Sequence, residues 1–280
     1  MMKPLFLIFG IFFISISSLF VAPQGFLWPG IAAIIEVGKR TVNPEELIYI
    51  NPTSGVERDL FPIIFEAFAN TMGVLTLALA VSVAIASAGT FLLWLAPEKW
   101  TTGVRSVTSL LSTIPDVMYV LSAQLVMVWI YTTFDWRAIE FTGAGTEDAI
   151  LLPALVLAIL PTIYFLHSML DFVYEEKGQD YHELAVSKGM PKAHILILHI
   201  SRNVLVKFVY QGKFIIGLTV SNLFIVEYLF NNFGMTAFLV EYAQPPVFFV
   251  TAMLFFIPIY LTLKLLEVFV FITTKQEVDL

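Results

Sequence analysis

Cysteine is absent from the 280 residues, which rules out disulfides, thiolate metal centres and thiol nucleophiles. Charge is scarce too: Asp, Glu, Lys and Arg make up 13% of the chain, about half the roughly 25% of a soluble domain. A water-solvated surface is hard to build from so few charges. Catalytic signatures are missing as well. No G-x-x-x-x-G-K-[ST] run offers backbone amides to nucleotide phosphates. There is no G-x-S-x-G elbow and no recognisable triad. His182, His194 and His199 share one segment with Glu183, but Val186 stands where an H-E-x-x-H helix needs its second histidine. No metal or cofactor is expected in this chain. The formal net charge of -7 speaks against nucleic acid, which attracts clustered Lys and Arg.

What is abundant is apolar: 58% of residues are hydrophobic, in blocks long enough to cross a hydrocarbon core of about 30 Å, which takes roughly 20 residues of helix. The expected class is all-α and polytopic, with six spans. These run at about Leu5–Val21, within Phe61–Leu95, at about Val107–Tyr131, at Ile150–Leu170, within Val204–Phe230 and at about Val247–Ile272. The first follows Lys3 as a signal peptide would, but bulky Phe20 stands where a cleavage site wants a small residue. Residues 1–22 are therefore read as a retained anchor, 23–60 as an extracytoplasmic loop and 61–280 as the transmembrane domain.

Orientation follows from the cations of short loops. Lys3, Lys99, Arg105, Lys177, Lys188, Lys192, Arg202 and Lys275 fall on one side, which is read as the cytoplasm, with both termini there. The opposite side holds Glu36, Glu45, Glu46, Glu57 and Asp59 against Lys39, Arg40 and Arg58, then Asp135, Arg137, Glu140, Glu147 and Asp148, then Glu241. The 23–60 loop is either a linker or a surface for an external partner.

Ionisable residues inside spans are costly and need a reason. Glu66 and Glu227, near the outer ends of their spans, are expected to reach water, and Lys264 with Glu267, three residues apart, to pair. His167 is expected to pack or snorkel. Asp116 follows Pro115 and either lines a pathway or satisfies backbone freed by the proline. Gln211, Thr219 and Asn222 share a helical face, since 11 residues make about three turns. Such a stripe suits a translocation pathway or a polar helix contact; with Asp116 it is taken as pathway-lining.

The longest cytoplasmic segment, about 175–202, carries helix punctuation. Asp180 is a candidate N-cap with Glu183 at N3, Gly189 fits a C-terminal stop, and Pro191 suits the start of a second helix. A helix–turn–helix projecting from the membrane is expected. Tyr181, Leu184, Ala185 and Lys188 should share one face.

The run Glu183-Leu184-Ala185-Val186-Ser187-Lys188-Gly189 resembles the E-A-A-x-x-x-G signature of the permease subunits of ATP-binding-cassette importers. Leu184 stands where the signature has its first alanine, and the Leu-Pro pair that ends it is absent. The surrounding Asp180-Tyr181 and His199-Ile200-Ser201-Arg202-Asn203 resemble the dipeptide, oligopeptide and nickel permease group. Asn70-Thr71, Leu111-Ser-Thr-Ile-Pro115, Ile225-Val-Glu227-Tyr-Leu-Phe230 and Phe233-Gly234 extend the likeness, in order, over about 60–280.

The resemblance implies a subunit without its own ATPase site that forms half of a pathway for peptides or a related small solute, nickel or another metal complex included. It implies a coupling helix between spans four and five, with Glu183, Leu184, Ala185, Lys188 and Gly189 as the surface for a partner ATPase. That ATPase binds ATP and Mg. A second permease subunit and an extracytoplasmic solute-binding protein complete the set. Two other readings stand beside it. An ion-coupled secondary transporter would often show two related halves, and no internal repeat is evident. A non-transporting membrane scaffold would tolerate apolar replacements along the fifth span.

Overall fold

Pro115 divides the expected third span. In the computed structural model, which describes residues 2–22, 25–26, 28–43, 47–51, 54–134, 149–242 and 244–274, helix α4 (Glu98–Leu111) stops before it and helix α5 (Asp116–Phe134) starts after it. Proline has no N–H for the helical ladder and pushes its predecessor out of the helical region, so 112–115 becomes a break. The span-length helix is α5, and Asp116 opens its first turn.

The fourth span is interrupted as well, into α6 (Leu151–Leu157) and α7 (Ile159–Glu176). Pro161 gives no N–H to the carbonyl of Leu157 and clashes there, which accounts for the turn at Ala158. The other long helices are α3 (Ile63–Leu95) and α12 (Pro245–Thr274, with Pro258 inside). The fifth span is longer than expected. Short α9 (Lys192–Ile195), a π-helical turn (Leu196–Ile200) and α10 (Ser201–Phe230) make one apolar helix of 39 residues. The second helix of the expected helix–turn–helix is thus the base of the fifth span. Only α8 (Asp180–Ser187) is separate.

Among the described residues, five helices are long and apolar enough to cross a membrane, and α1 (Met2–Ser17) adds a shorter apolar one. Its 16 residues reach about 24 Å at 1.5 Å each. The protein is an all-α polytopic membrane protein, with two short hairpins as its described strands.

Two compact units are distinguished: 1–72 with 232–261, and 73–231 with 262–280. The first holds the described part of residues 23–60, which carries secondary structure of its own. It contains α2 (Ile31–Val42), the hairpin of β1 (Val21–Ala22) with β2 (Gly25–Phe26), and that of β3 (Ile48–Ile50) with β4 (Glu57–Asp59). Buried Tyr49 packs its ring on Phe238 of α11 (Met235–Val240) and on Tyr242. The Gln244 amide serves as a strand partner, donating to the carbonyl of Ile50 and accepting from its N–H, each at 3.3 Å. Met235 N–H donates to buried Thr71 at 2.8 Å, and Asn70 donates to the carbonyl of Phe233 at 3.1 Å.

The second unit is built on α10, which packs along α7 and against α5 and α6. At one end of α7, Arg105 pairs with Asp171 at 2.8 Å and Thr101 meets the Tyr174 hydroxyl at 3.1 Å. Thr108 contacts His167, so that histidine packs between helices. The loop acids Asp135, Glu140, Glu147 and Asp148, together with Arg137, lie outside the described residues, as do Glu45, Glu46 and Lys275.

Candidate functional site

Helix α8 begins one residue earlier than its punctuation suggests. The Gln179 carbonyl accepts from His182 N–H at 2.9 Å and Glu183 N–H at 3.4 Å, so Gln179, extended at φ -88 and ψ 147, is the N-cap. No side chain caps the helix. Asp180 and Glu183 sit in the first turn, where the helix dipole favours carboxylates, and the capping box is not formed.

The other end matches expectation. Gly189 adopts φ +74, a region closed to most residues with a Cβ. Its N–H donates to Val186 at 2.9 Å, and Met190 N–H reaches back to Ala185 at 3.2 Å. These two bonds form a Schellman stop. Its usual apolar contact is present, because Met190 and Ala185 pack into one cluster with Trp94, Val173, Ile195 and Leu196. Pro191 then caps α9, its carbonyl accepting from His194 at 3.0 Å and Ile195 at 3.1 Å.

The expected coupling residues divide between two faces. Glu183, Leu184, Lys188 and Gly189 are exposed. Ala185 is 5% exposed and turned into the cluster, so its small side chain lets α8 lie close to its own protein. It does not belong to the outer surface, and exposed Val186 stands there beside Leu184. Tyr181 also faces inward, so the four residues expected on one face split in pairs.

Beneath α8 lies a polar junction built around Glu176, the last residue of α7, with a side chain only 7% exposed. One carboxylate oxygen accepts from the Tyr181 hydroxyl at 2.6 Å and from the Asn203 amide at 2.9 Å; the other pairs with Lys207 at 2.8 Å. Lys207 also reaches exposed Glu175 at 2.9 Å. Three helices, α7, α8 and α10, therefore meet on one buried carboxylate. Removing one partner of such a pair costs about 3–5 kcal/mol, because the other charge is left buried. Burial, and then the Glu176 carboxylate, push the Tyr181 hydroxyl up to about 12. On the opposite side, the Trp94 indole N–H donates to the carbonyl of Lys192 at 3.0 Å, fixing the end of α3 to the start of α9. The His182 ring stands edge-on to Trp94 at 5.9 Å, which is a packing role.

Glu176 and Lys207 carried no motif. Their one signal is that each is an ionisable residue near the end of a span, a placement that calls for a partner.

A second polar site lies along α10. The Asn222 amide donates to the Asp116 carboxylate, and both line a cavity of about 10 Å³ with Tyr119, Val120 and Leu160. That volume is close to the space one water needs. The Tyr119 hydroxyl donates to the Leu111 carbonyl at 2.5 Å, beside the Ile114 N–H that reaches the same oxygen at 3.0 Å where Pro115 has no N–H to give. Asp116 and Asn222 are thus brought together. Thr219, fully buried, spends its hydroxyl on the Ile215 carbonyl of its own helix at 2.7 Å. Gln211 is half-buried and about 16 Å from Asn222 along the helix.

Of the remaining ionisable residues, Lys264 meets both Glu267 oxygens at 2.6–2.7 Å, as expected. Glu66 is exposed. Glu227 is 2% exposed and does not reach water; its place, one turn before the C-terminus of α10, is packed over.

Residues 97–273, more than half of the chain, match the family described as binding-protein-dependent transport system inner membrane component. No curated protein shows a significant match.

Proposed function

The chain belongs to the family of binding-protein-dependent transport system inner membrane components, and from that premise we propose that it is the permease half of an ATP-driven importer, moved by a separate ATPase through α8. The observation that carries this reading is the way α8 is mounted. Its outer face offers Glu183, Leu184, Val186 and Lys188. Its inner face is joined by Ala185 and Met190 to an apolar cluster, and by Tyr181 to the Glu176 junction. A force applied to α8 is therefore delivered at once to α7 and, through Asn203 and Lys207, to α10. Continuity of Lys192–Phe230 makes the fifth span a lever whose base is the turn after Gly189. Rigid elements with two discrete arrangements are what carry coupling between distant sites.

The cargo is proposed to be a peptide or a related small solute, nickel or another metal complex included. The support is the order of motifs around Asp180–Gly189 and Asn203. ATP and Mg belong to the partner ATPase, a second permease subunit supplies the other half of the pathway, and a solute-binding protein delivers cargo from outside. Asp116, Asn222 and Gln211 are the pathway residues of this half.

The test is transport by the reconstituted complex carrying Gly189→Asp. A Cβ at Gly189 meets nothing within 4 Å, so the substitution acts through backbone strain and charge at the docking turn, not through a clash. Uptake is expected to be lost while membrane insertion is kept. Normal ATPase co-purification and normal uptake would sink the reading. Uptake that collapses with an ionophore and ignores ATP would replace it with an ion-coupled transporter.

A further inference from the structure

Helix α10 leaves one side open. From Tyr210 onward its exposed residues are Tyr210, Lys213, Phe214, Gly217, Ser221 and Tyr228. Counted from Tyr210 they stand at 3, 4, 7, 11 and 18, the spacing of a single helix face. The stripe covers 18 residues, about 27 Å at 1.5 Å each, and so runs nearly across a hydrocarbon core of about 30 Å. Contact with lipid does not account for it. On α12 the exposed side chains include Ile257, Leu261, Leu265, Val268 and Phe269, which suit acyl chains. The α10 stripe instead holds an ammonium, a serine hydroxyl and two tyrosine hydroxyls, and a Cβ at Gly217 meets nothing within 4 Å.

Lys213 is the residue that decides what faces the stripe. Lys207, six residues earlier, is held at the base of the spans by Glu175 and Glu176, so Lys213 lies about 9 Å further into the membrane. A charge at that depth faces a partner charge or a water-filled cavity. Among the described residues no carboxylate pairs with Lys213. Asp116 does not neutralise it. Asn222, which holds that carboxylate, is nine residues from Lys213, about two and a half turns, and therefore on the far side of the helix. A snorkelling lysine reaches back toward the helix N-terminus, but this leaves Ser221, about 12 Å deeper, on the same open face without water. A second copy apposed on this face across a two-fold axis would bring lysine against lysine, which a dry contact does not tolerate.

We propose that this stripe lines a water-filled passage shared with the second permease subunit, and that Lys213 draws in and holds a carboxylate of the cargo on its way through. The proposal rests on the permease reading above and adds a side of α10 separate from the one that carries Gln211 and Asn222. It also narrows the cargo. A lone charge in a low-dielectric cleft concentrates ions of the opposite sign, so a free peptide carboxylate is attracted and a bare divalent metal ion is repelled. A metal would pass as an anionic complex.

The test uses the reconstituted complex, with Gly217→Cys or Ser221→Cys placed singly in the cysteine-free chain and labelling read on this chain by mass. An anionic and a cationic methanethiosulfonate, the sulfonatoethyl and trimethylammonioethyl reagents, are compared. Both are expected to react at both positions. At Gly217→Cys, one turn from Lys213, the anionic reagent should gain about tenfold over the cationic one, relative to a free thiol in water. Lys213→Gln should erase that gain and Lys213→Arg should keep it, which separates charge loss from misfolding. Trialanine should slow labelling at Gly217→Cys, and its C-terminal amide should not. Silence at both cysteines would make the stripe a lipid or dry helix contact and overturn the proposal. So would a reagent preference indifferent to Lys213→Gln, since a partner carboxylate would then already hold the lysine. Slowing by neither peptide, or by both alike, would overturn the carboxylate assignment. Uptake that ignores ATP would overturn the drive assigned to the complex and leave this face standing.

Discussion

Tyr181 donates its hydroxyl to Glu176 at 2.6 Å, and that bond is the polar tie between α8 and the spans. The same carboxylate holds Asn203 and Lys207, so α8 cannot shift without pulling on α7 and α10. Glu176→Gln keeps the shape and removes the charge, leaving Lys207 with exposed Glu175 alone. Uptake per ATP hydrolysed in the reconstituted complex is expected to fall about tenfold, within the usual range of coupling energies, with insertion intact. Glu176→Ala should in addition lower stability by about 3 kcal/mol, read as a fall in the melting midpoint in detergent. Unchanged uptake per ATP in both variants would show that α8 is not the transmitting element.

The same tie has a signature in alkali. The Tyr181 hydroxyl is pushed up to about 12, first by burial and then by the Glu176 carboxylate, so the fold favours its neutral form. Its contribution to stability is fully present below the ordinary tyrosine value near 10 and is lost as pH rises through about 12. Tyr181→Phe should therefore narrow the stability gap to the unaltered protein as pH climbs through that window. The phenolate absorbance difference between the two proteins should appear only near pH 12. A difference already complete near pH 10 would mean that the hydroxyl is not held by Glu176.

Much of the architecture was legible in the sequence because long apolar runs admit few outcomes in lipid. Ile63–Leu95 and Pro245–Thr274 lie close to their expected limits. The errors come from local backbone chemistry. Pro115 and Pro161 break helices inside stretches whose mean hydropathy stays high, so a hydropathy window averages the break away. The capping box failed because Gln179, not Asp180, has the extended conformation of a cap. At the candidate site Gly189 was readable as a helix stop, which its φ of +74 matches, whereas the inward turn of Ala185 was not. A small residue near a docking motif suits contact with a partner and contact with its own core equally well, and only the burial against Trp94 and Val173 decides between them. The Glu176–Lys207 pair spans 31 residues with no local pattern, so tertiary packing alone reveals it.

The cysteine-free chain allows the pathway residues to be mapped without background. Asp116→Cys and Gln211→Cys are expected to react with a membrane-impermeant thiol reagent in the ATP-driven complex. Thr219→Cys, fully buried with its hydroxyl on Ile215, should stay unreactive throughout. Silence at both Asp116→Cys and Gln211→Cys would make the polar stripe of α10 a helix contact and nothing more.

The two faces of α8 give the sharpest separation between docking and mounting. Leu184 and Val186 are 56% and 54% exposed, whereas Ala185 is 5% exposed. Leu184→Asp and Val186→Asp change a solvated surface and leave the interior alone, so expression and thermal stability should be nearly unchanged, within about 0.5 kcal/mol. What they should abolish is co-purification of the ATPase. Ala185→Leu does the reverse. It forces three carbons into the cluster of Trp94, Val173 and Ile195, an overpacking that costs about 1–3 kcal/mol, and should lower the melting midpoint before any ATPase is added. If Leu184→Asp and Val186→Asp leave ATPase binding intact while Ala185→Leu destroys it without destabilising the protein, the outer face of α8 is not the docking surface. Ala185 would then have to turn outward when the partner binds.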